Sequence, residues 1–384
     1  MKYIREANLK NKKVLLRVDF NVPMDSKRNI LDDARIKATL PTIKYLQNSK
    51  AKKIYIVSHL GEPIIMRKEK IDKIILGNKN LVLKPIVENL AKWLKIQKKH
   101  IKLINIKDSP LPGYELSDQI TVLENIRFLS GEKKNDKETA RSLSLLADIF
   151  VNDAFGVLHR THASVCEITN FLPSYAGLLV EKEFSVLEKI INNPARPLVM
   201  ILGGAKIKDK MLIIKKMSKK ADFFLLGGVM ANTFLATRNI NVKQSLVEKE
   251  RLDLARELMN KSARKIILPT GLVWYKNKIL DIDQNTVNQF ARYIKKAKTI
   301  FFNGTMGFTT KDRFRKGTLE ILKIIIQNKS AQTIICGGDT IAEVNRQDLQ
   351  DKFFYISTGG GVTLNYLAGE KLPGLEALNH PKDD

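Results

Sequence analysis

Apolar positions recur along this chain in two alternating rhythms. Runs rich in β-branched and other apolar residues occur at 14–18, 54–57, 101–104, 121–123 and 149–151. They occur again at 198–202, 223–226, 266–268, 299–302, 333–336 and 353–356. Between them the apolar residues return at helical spacing. A strand buried on both faces reads as a continuous apolar run, whereas a half-exposed strand alternates. The pattern therefore predicts an α/β fold with parallel sheets. One helical stretch stands apart, over 178–191. Leu179, Phe184, Leu187, Ile190 and Ile191 recur there at helical intervals, and Pro194 lies just beyond. It separates the runs into two sets and reads as a connecting helix.

Open α/β sheets bind ligands at the carboxyl ends of their strands, so the residues after each run carry the chemistry. In the first set those ends are basic or hydrogen-bonding: Arg17-Val18-Asp19-Phe20-Asn21, Ser58-His59, Glu124-Asn125-Ile126-Arg127, and Asn152-Asp153 leading to His159-Arg160-Thr161-His162. Clustered Arg and His suit a small, highly anionic molecule. Arg35, at the start of a predicted helix, can reach the same crevice. Arg17 and His59 are equally compatible with a structural ion pair and a buried, hydrogen-bonded imidazole.

In the second set the ends are glycine-rich: Gly203-Gly204, Gly227-Gly228, Asn303-Gly304, Gly337-Gly338 and Gly359-Gly360-Gly361. A strand that ends in glycine and opens a helix presents bare N–H groups at a positive helix terminus, which suits phosphate. Asp339 and Thr340 fall in one such first turn. A carboxylate and a hydroxyl there match a Mg²⁺-bound nucleotide phosphate, because Mg²⁺ takes oxygen ligands and often only one or two carboxylates. The run Gly203-Gly204-Ala205-Lys206-Ile207-Lys208-Asp209-Lys210 lacks the Gly-Lys-Ser/Thr ending of a P-loop. Lys206 and Lys210, four apart, are expected on one helix face, where two ammonium groups could contact successive phosphates. Two sheets, each offering one kind of anion site, imply two anionic substrates brought face to face.

Length fits two domains, with boundaries expected at 1–172, 173–194 for the connecting segment, and 195–371. The net charge of +26 permits attraction to nucleic acid, but no Lys/Arg block is interleaved with aromatics as a single-strand platform requires. Nucleic acid is therefore not the expected partner. No apolar run is long enough to span a bilayer, and the first residues show no secretory signal. The two cysteines, Cys166 and Cys336, read as reduced packing residues of a cytoplasmic protein. A nicotinamide dehydrogenase would need Gly-x-Gly-x-x-Gly after an early strand, and that arrangement is missing from the sequence.

Taken together, Arg-Val-Asp-Phe-Asn-Val-Pro at 17–23, Ser-His-Leu-Gly at 58–61, Leu-Glu-Asn-Ile-Arg-Phe at 123–128, Asn-Asp-Ala-Phe-Gly with His-Arg-Thr-His-Ala-Ser within 152–164, Gly-Gly-Ala-Lys at 203–206, Gly-Gly-Asp-Thr at 337–340 and Ser-Thr-Gly-Gly-Gly at 357–361 resemble the phosphoglycerate kinase family. They stand in that family's order and span almost the whole chain. The resemblance implies two doubly wound, Rossmann-like lobes joined by a connecting helix and hinge, with a C-terminal tail, 372–384, returning to the first lobe. It implies reversible phosphoryl transfer from 1,3-bisphosphoglycerate to MgADP, giving 3-phosphoglycerate and MgATP after the lobes close, by a monomer that works in glycolysis.

Carried onto this sequence, Asp19, Phe20, Asn21, Arg35, His59, Leu60, Gly61, Glu62, Arg127 and Arg160 would form the phosphoglycerate site. Lys206, Lys210, Gly337, Gly338, Asp339, Thr340 and Thr310 would meet the nucleotide, with Asp339 on the metal. Arg35, Lys206 and Gly360, the last within the 359–361 triplet, would act on the migrating phosphoryl group. Departures from the family pattern are Glu62 for Arg, Val229 for Gly, Thr305 for Pro, Thr310 for a ribose-binding Glu, and Asn365 for Glu. Glu62 lies three residues after His59 and is expected to border the basic crevice, where a carboxylate repels a substrate phosphate. An alternative is the same fold with activity reduced or lost, acting as a basic anion- or nucleic-acid-binding protein.

Overall fold

The computed structural model describes residues 1–65 and 69–379. The chain divides into two compact units, the first Met1–Phe184 together with the C-terminal segment from Lys371, the second Ser185–Glu370. The helix Leu178–Asn192 carries the chain from one unit to the other.

Among the described residues the first unit holds seven strands: β1 (Lys13–Arg17), β2 (Lys53–Val57), β3 (Lys102–Ile104), β4 (Gly113–Glu115), β5 (Ile120–Leu123), β6 (Ile149–Asn152) and β7 (Ser174–Ala176), in the order β3-β4-β5-β2-β1-β6-β7. From β5 to β7 all neighbours are parallel. β4 runs antiparallel to β5 and to β3, a departure from the all-parallel expectation at one edge. Both faces are covered, as the apolar runs require. Val14 and Leu16 pack into one core with Ile54 and Ile56, while Leu15 packs into another with Val57 and Phe150. Gly374, in the helix Pro373–Asn379, donates its N–H to Leu158 O at 2.9 Å, which ties the C-terminal segment to this unit. The last residues of the expected tail, 380–384, lie outside the described residues.

The second unit contains β8 (Leu198–Leu202), β9 (Phe223–Leu226), β10 (Ile266–Ile267), β11 (Leu272–Tyr275), β12 (Lys278–Ile282), β13 (Thr299–Asn303), β14 (Gln332–Cys336) and β15 (Tyr355–Ile356). Six form a parallel sheet in the order β10-β9-β8-β13-β14-β15. β11 and β12 make a separate antiparallel hairpin. Every residue of β8 and β13 is buried, the signature of central strands covered on both sides. No helix among the described residues is long and apolar enough to cross a membrane.

Candidate active site

In the first unit the candidate functional side chains gather at the carboxyl ends of β1, β2 and β5. Arg17, the last residue of β1, is completely buried. Its Nε donates to Ser164 Oγ at 2.9 Å, NH1 donates to the Val18 carbonyl, and NH2 lies 3.4 Å from His59 Nδ1. Glu132 Oε1 stands 4.0 Å from Arg17 NH2 and accepts from Ser164 Oγ at 2.7 Å. Arg17 is thus a structural cation beneath the crevice, as one of its two sequence readings allowed. Ser164 and Glu132 complete a network that sequence reasoning missed. Ser164 fell inside a recognised motif, but nothing local marks Glu132.

Above this network the expected residues converge. Arg35, in the first turn of the helix Ala34–Asn48, uses NH1 to bond Asp19 Oδ2 at 2.9 Å and the Asn21 carbonyl at 3.0 Å. Asn21 Oδ1 accepts the Gly61 N–H at 3.0 Å, and Arg127 NH1 donates to the Gly61 carbonyl. Phe20 and Leu60 are different in kind. Both side chains are buried in the apolar core, and their backbones shape the loops: Phe20 N–H donates to Ser58 Oγ at 2.8 Å, and Leu60 exchanges bonds with the Asn125 amide. Arg160 adds its charge to the cluster, where it is felt by His59, His162 and Arg127.

His59 is the most telling residue here. It is 2% exposed, and its Nε2 finds no partner among the described residues. Burial, and then the charges of Arg17, Arg127, Arg160 and Arg35, hold its pKa well below 6.5. The imidazole is therefore neutral, and with Arg17 donating toward Nδ1 it presents a buried N–H at Nε2. A buried donor without an acceptor costs free energy comparable to a lost hydrogen bond, so the position is built to receive an anionic oxygen. His162 is likewise pushed down to about 4, chiefly by burial and then by Arg17. Below about pH 6.5 the unfolded chain takes up a proton at His162 that the folded chain refuses until about 4, so acidification through that interval removes this contribution to stability. The His59 and His162 ring-proton NMR signals are expected not to titrate between about pH 6 and 8. A midpoint near 6.5 for His59 would show that the Arg cluster does not face it.

In the second unit the site is made of backbone. The ends of β8 and β13 approach so closely that a Cβ at Gly203 would sit 2.2 Å from the Thr305 carbonyl oxygen. Gly304, at φ +85°, would place a Cβ 2.2 Å from the Gly203 carbonyl oxygen. Neither position can carry a side chain. At Gly338, Gly360 and Gly361 the reverse holds: an added Cβ would meet nothing within 4 Å. These are open cradles. The helix Gly338–Arg346 starts at one of them, and the amides of its first turn have no intrahelical acceptor. Asp339 lies in that turn with an exposed side chain.

Two expectations are corrected here. The helix begins at Lys208, not before Lys206, so Lys206 and Lys210 do not share a helical face. Lys206 sits exposed in the preceding loop, whereas Lys210 is buried and turns back to donate Nζ to the Lys206 carbonyl at 3.0 Å. Burial lowers the Lys210 pKa, and the nearby Asp339 carboxylate partly opposes this. Thr340 is fully buried and its Oγ accepts the Gly304 N–H at 2.8 Å. Its hydroxyl braces β13 against the helix instead of facing the opening, and only its amide belongs to the first-turn array. A cavity of about 880 Å³ adjoins these elements, lined by Gly204, Gly228, Val229, Thr305, Thr310 and Asp339 among others.

This pairing of a basic crevice with a glycine-built anion cradle has known counterparts. The family described as phosphoglycerate kinase matches residues 4–370. The chain belongs to the phosphoglycerate kinase family. A phosphoglycerate kinase of Dictyoglomus turgidum is 40% identical over 401 residues, covering 98% of this chain and 97% of the relative. A solved phosphoglycerate kinase from Coxiella burnetii superposes with a TM-score of 0.83 at 32% identity, covering 98% of each chain. One from Pyrococcus horikoshii gives 0.82 at 29%, covering 99% of this chain and 98% of that one.

Three of the positions at which this chain departs from the phosphoglycerate kinase pattern, Val229, Thr305 and Thr310, line the cavity of the second unit. Another, Glu62, lies in the first unit, where Oε1 is 2.6 Å from Arg127 NH1 and Oε2 is 3.0 Å from Lys133 Nζ. Lys133 was invisible as a site residue in the sequence, one lysine among many.

Proposed function

We propose that this chain is a phosphoglycerate kinase that transfers the acyl phosphate of 1,3-bisphosphoglycerate reversibly to MgADP. The bond from phosphorus to the substrate's carboxyl oxygen breaks, and one to the terminal oxygen of the diphosphate forms. Both oxygens are ionised, so no general base is required, and catalysis is positioning and charge neutralisation. One observation carries the reading. Each unit offers an anion site of a different chemistry, one made of Arg side chains around a buried unpartnered imidazole N–H, the other of glycine-opened helix amides beside Asp339 and Lys210.

In this reading Asp19, Asn21, Arg35, His59, Gly61, Arg127 and Arg160 hold the phosphoglycerate, with Phe20 and Leu60 shaping the loops. Gly337, Gly338, Asp339, the Thr340 amide, Lys206 and Lys210 receive the nucleotide phosphates, and Thr310 lies in the wall of the nucleoside cavity. Gly360, at φ +51° ahead of an open cradle, leaves room for the migrating phosphoryl group. Among the described residues no group of three or more His, Cys, Asp or Glu could hold a metal. The donor set therefore fits Mg²⁺ that arrives on the nucleotide and takes one protein carboxylate, Asp339. When bound, the ion neutralises phosphate charge.

The working form is a cytoplasmic monomer whose units close around both ligands, which excludes water from the acyl phosphate. A smaller radius of gyration by X-ray scattering with both ligands than with either alone is expected, and an unchanged radius would refute closure. The function itself is tested by a coupled assay with 3-phosphoglycerate, MgATP and an acyl-phosphate trap. Absence of turnover by the folded protein would refute it.

A further inference from the structure

Gly61, at φ +56°, turns the chain beyond β2 so that its carbonyl meets Arg127 and its N–H meets Asn21. The next residue, Glu62, is thereby fixed against the same guanidinium. Its carboxylate divides itself between two cations, Oε1 at 2.6 Å from Arg127 NH1 and Oε2 at 3.0 Å from Lys133 Nζ. The two cations differ in accessibility. The Arg127 side chain is 4% exposed and that of Lys133 59%, while Glu62 itself is 60% exposed. An exposed rim carboxylate thus reaches inward to a buried guanidinium and outward to a rim ammonium. Meanwhile Arg127 Nε is buried with no partner among the described residues. The guanidinium has a capped NH1 and an uncapped Nε.

We infer that Glu62 is an internal anion that competes with the incoming substrate phosphate for Arg127 and so sets the affinity of the crevice for phosphorylated anions. The inference rests on the phosphoglycerate reading of that crevice. The carboxylate occupies the cation that a phosphate needs, and it carries the same sign as the ligand. Lys133 supplies an alternative partner. When a phosphate pairs with Arg127, Glu62 can keep its bond to Lys133 without being left as an unpaired charge. Because Glu62 is on the rim and mostly exposed, exchange requires only side-chain rotation. The penalty is electrostatic, so it is screened by salt.

The test compares wild type with Glu62→Gln, which keeps size and one acceptor oxygen but removes the charge. Binding of 3-phosphoglycerate is measured by calorimetry, with inorganic phosphate as a second probe by phosphorus NMR. Glu62→Gln is expected to bind both about three- to tenfold more tightly at low salt, as removal of one like charge near a partly screened site predicts. The gain should shrink at about 0.5 M salt. In turnover the change should fall on KM for 3-phosphoglycerate, with KM for ATP as the internal reference. Unchanged or weaker binding of both probes by Glu62→Gln would overturn the inference. A loss in kcat without a gain in affinity would overturn it too, by showing that Glu62 orients Arg127. If wild type neither binds nor turns over 3-phosphoglycerate, the functional reading fails. Tighter binding of inorganic phosphate by Glu62→Gln would in that case still uphold competition at Arg127.

Discussion

Asp339→Ala is expected to lower turnover about a hundredfold or more while leaving 3-phosphoglycerate binding nearly intact. A hundredfold corresponds to about 2.7 kcal/mol of transition-state stabilisation, and a metal ion that neutralises transferring phosphate oxygens supplies several kcal/mol. The position suits a single carboxylate ligand. It lies in the first turn of a nine-residue helix, its side chain is exposed, and it stands beside an open glycine cradle. The substitution removes little else. An exposed first-turn acid contributes roughly 0.3–1 kcal/mol through the helix dipole, too little to unfold the unit. The expected loss is therefore chemical. Asp339→Asn separates charge from shape, and should fall nearly as far if the ion requires an anionic ligand. Steady-state rates across a Mg²⁺ titration decide the matter: turnover equal to wild type at saturating Mg²⁺ would remove Asp339 from the metal site.

Some of this organisation was legible in the sequence because it is written locally. Parallel strands covered on both faces show as apolar runs, and each of the runs at 14–18, 54–57, 198–202, 299–302 and 333–336 became a strand. The strands that escaped are short or lack that signature. β4 is Gly113-Tyr114-Glu115, and β7 lies in Ser174-Tyr175-Ala176, which reads as linker. The β11–β12 hairpin turns at Lys276 and Asn277, at φ 45° and 58°, without the glycine that usually announces such a turn.

Site residues followed the same division. The strand-end motifs marked Asp19, Asn21, His59 and Arg127, which the fold brings into one crevice, since a strand end and its loop are contiguous in sequence. The roles of Lys206 and Thr340 depended on where a helix starts and on what crosses from β13, neither of which spacing reveals. The supports were the least visible. Arg17 and Ser164 lie 147 residues apart, and Ser164 and Glu132 lie 32 apart. Such a network exists only after the sheet has brought its strands together.

Arg35→Ala is expected to lower kcat about a hundredfold, whereas Arg127→Ala should chiefly raise KM for 3-phosphoglycerate. The contrast follows from how each guanidinium is held. Arg127 is anchored beneath the loop by the Gly61 carbonyl and is nearly buried, which is the setting of a fixed anion-binding group. Arg35 projects from the first turn of its helix with a side chain 35% exposed, and among the described residues only its NH1 is engaged, by Asp19 and Asn21. Among the described residues its Nε and NH2 have no partner, so in the proposed reaction they are open to the transferring phosphoryl group, whose charge is spread over its equatorial oxygens. Asp19 and Asn21 make this a positioned donor, because NH1 is held from two directions while the other edge stays open. Loss of such a donor costs about 2.7 kcal/mol, the hundredfold. Arg35→Lys tests the geometry. An ammonium keeps the charge but cannot hold Asp19 and present a second edge at once, so rescue should be partial. Full rescue by Lys would mean that only charge matters at this position. A large KM effect at Arg35 with kcat preserved, paired with a kcat effect at Arg127, would exchange the two roles.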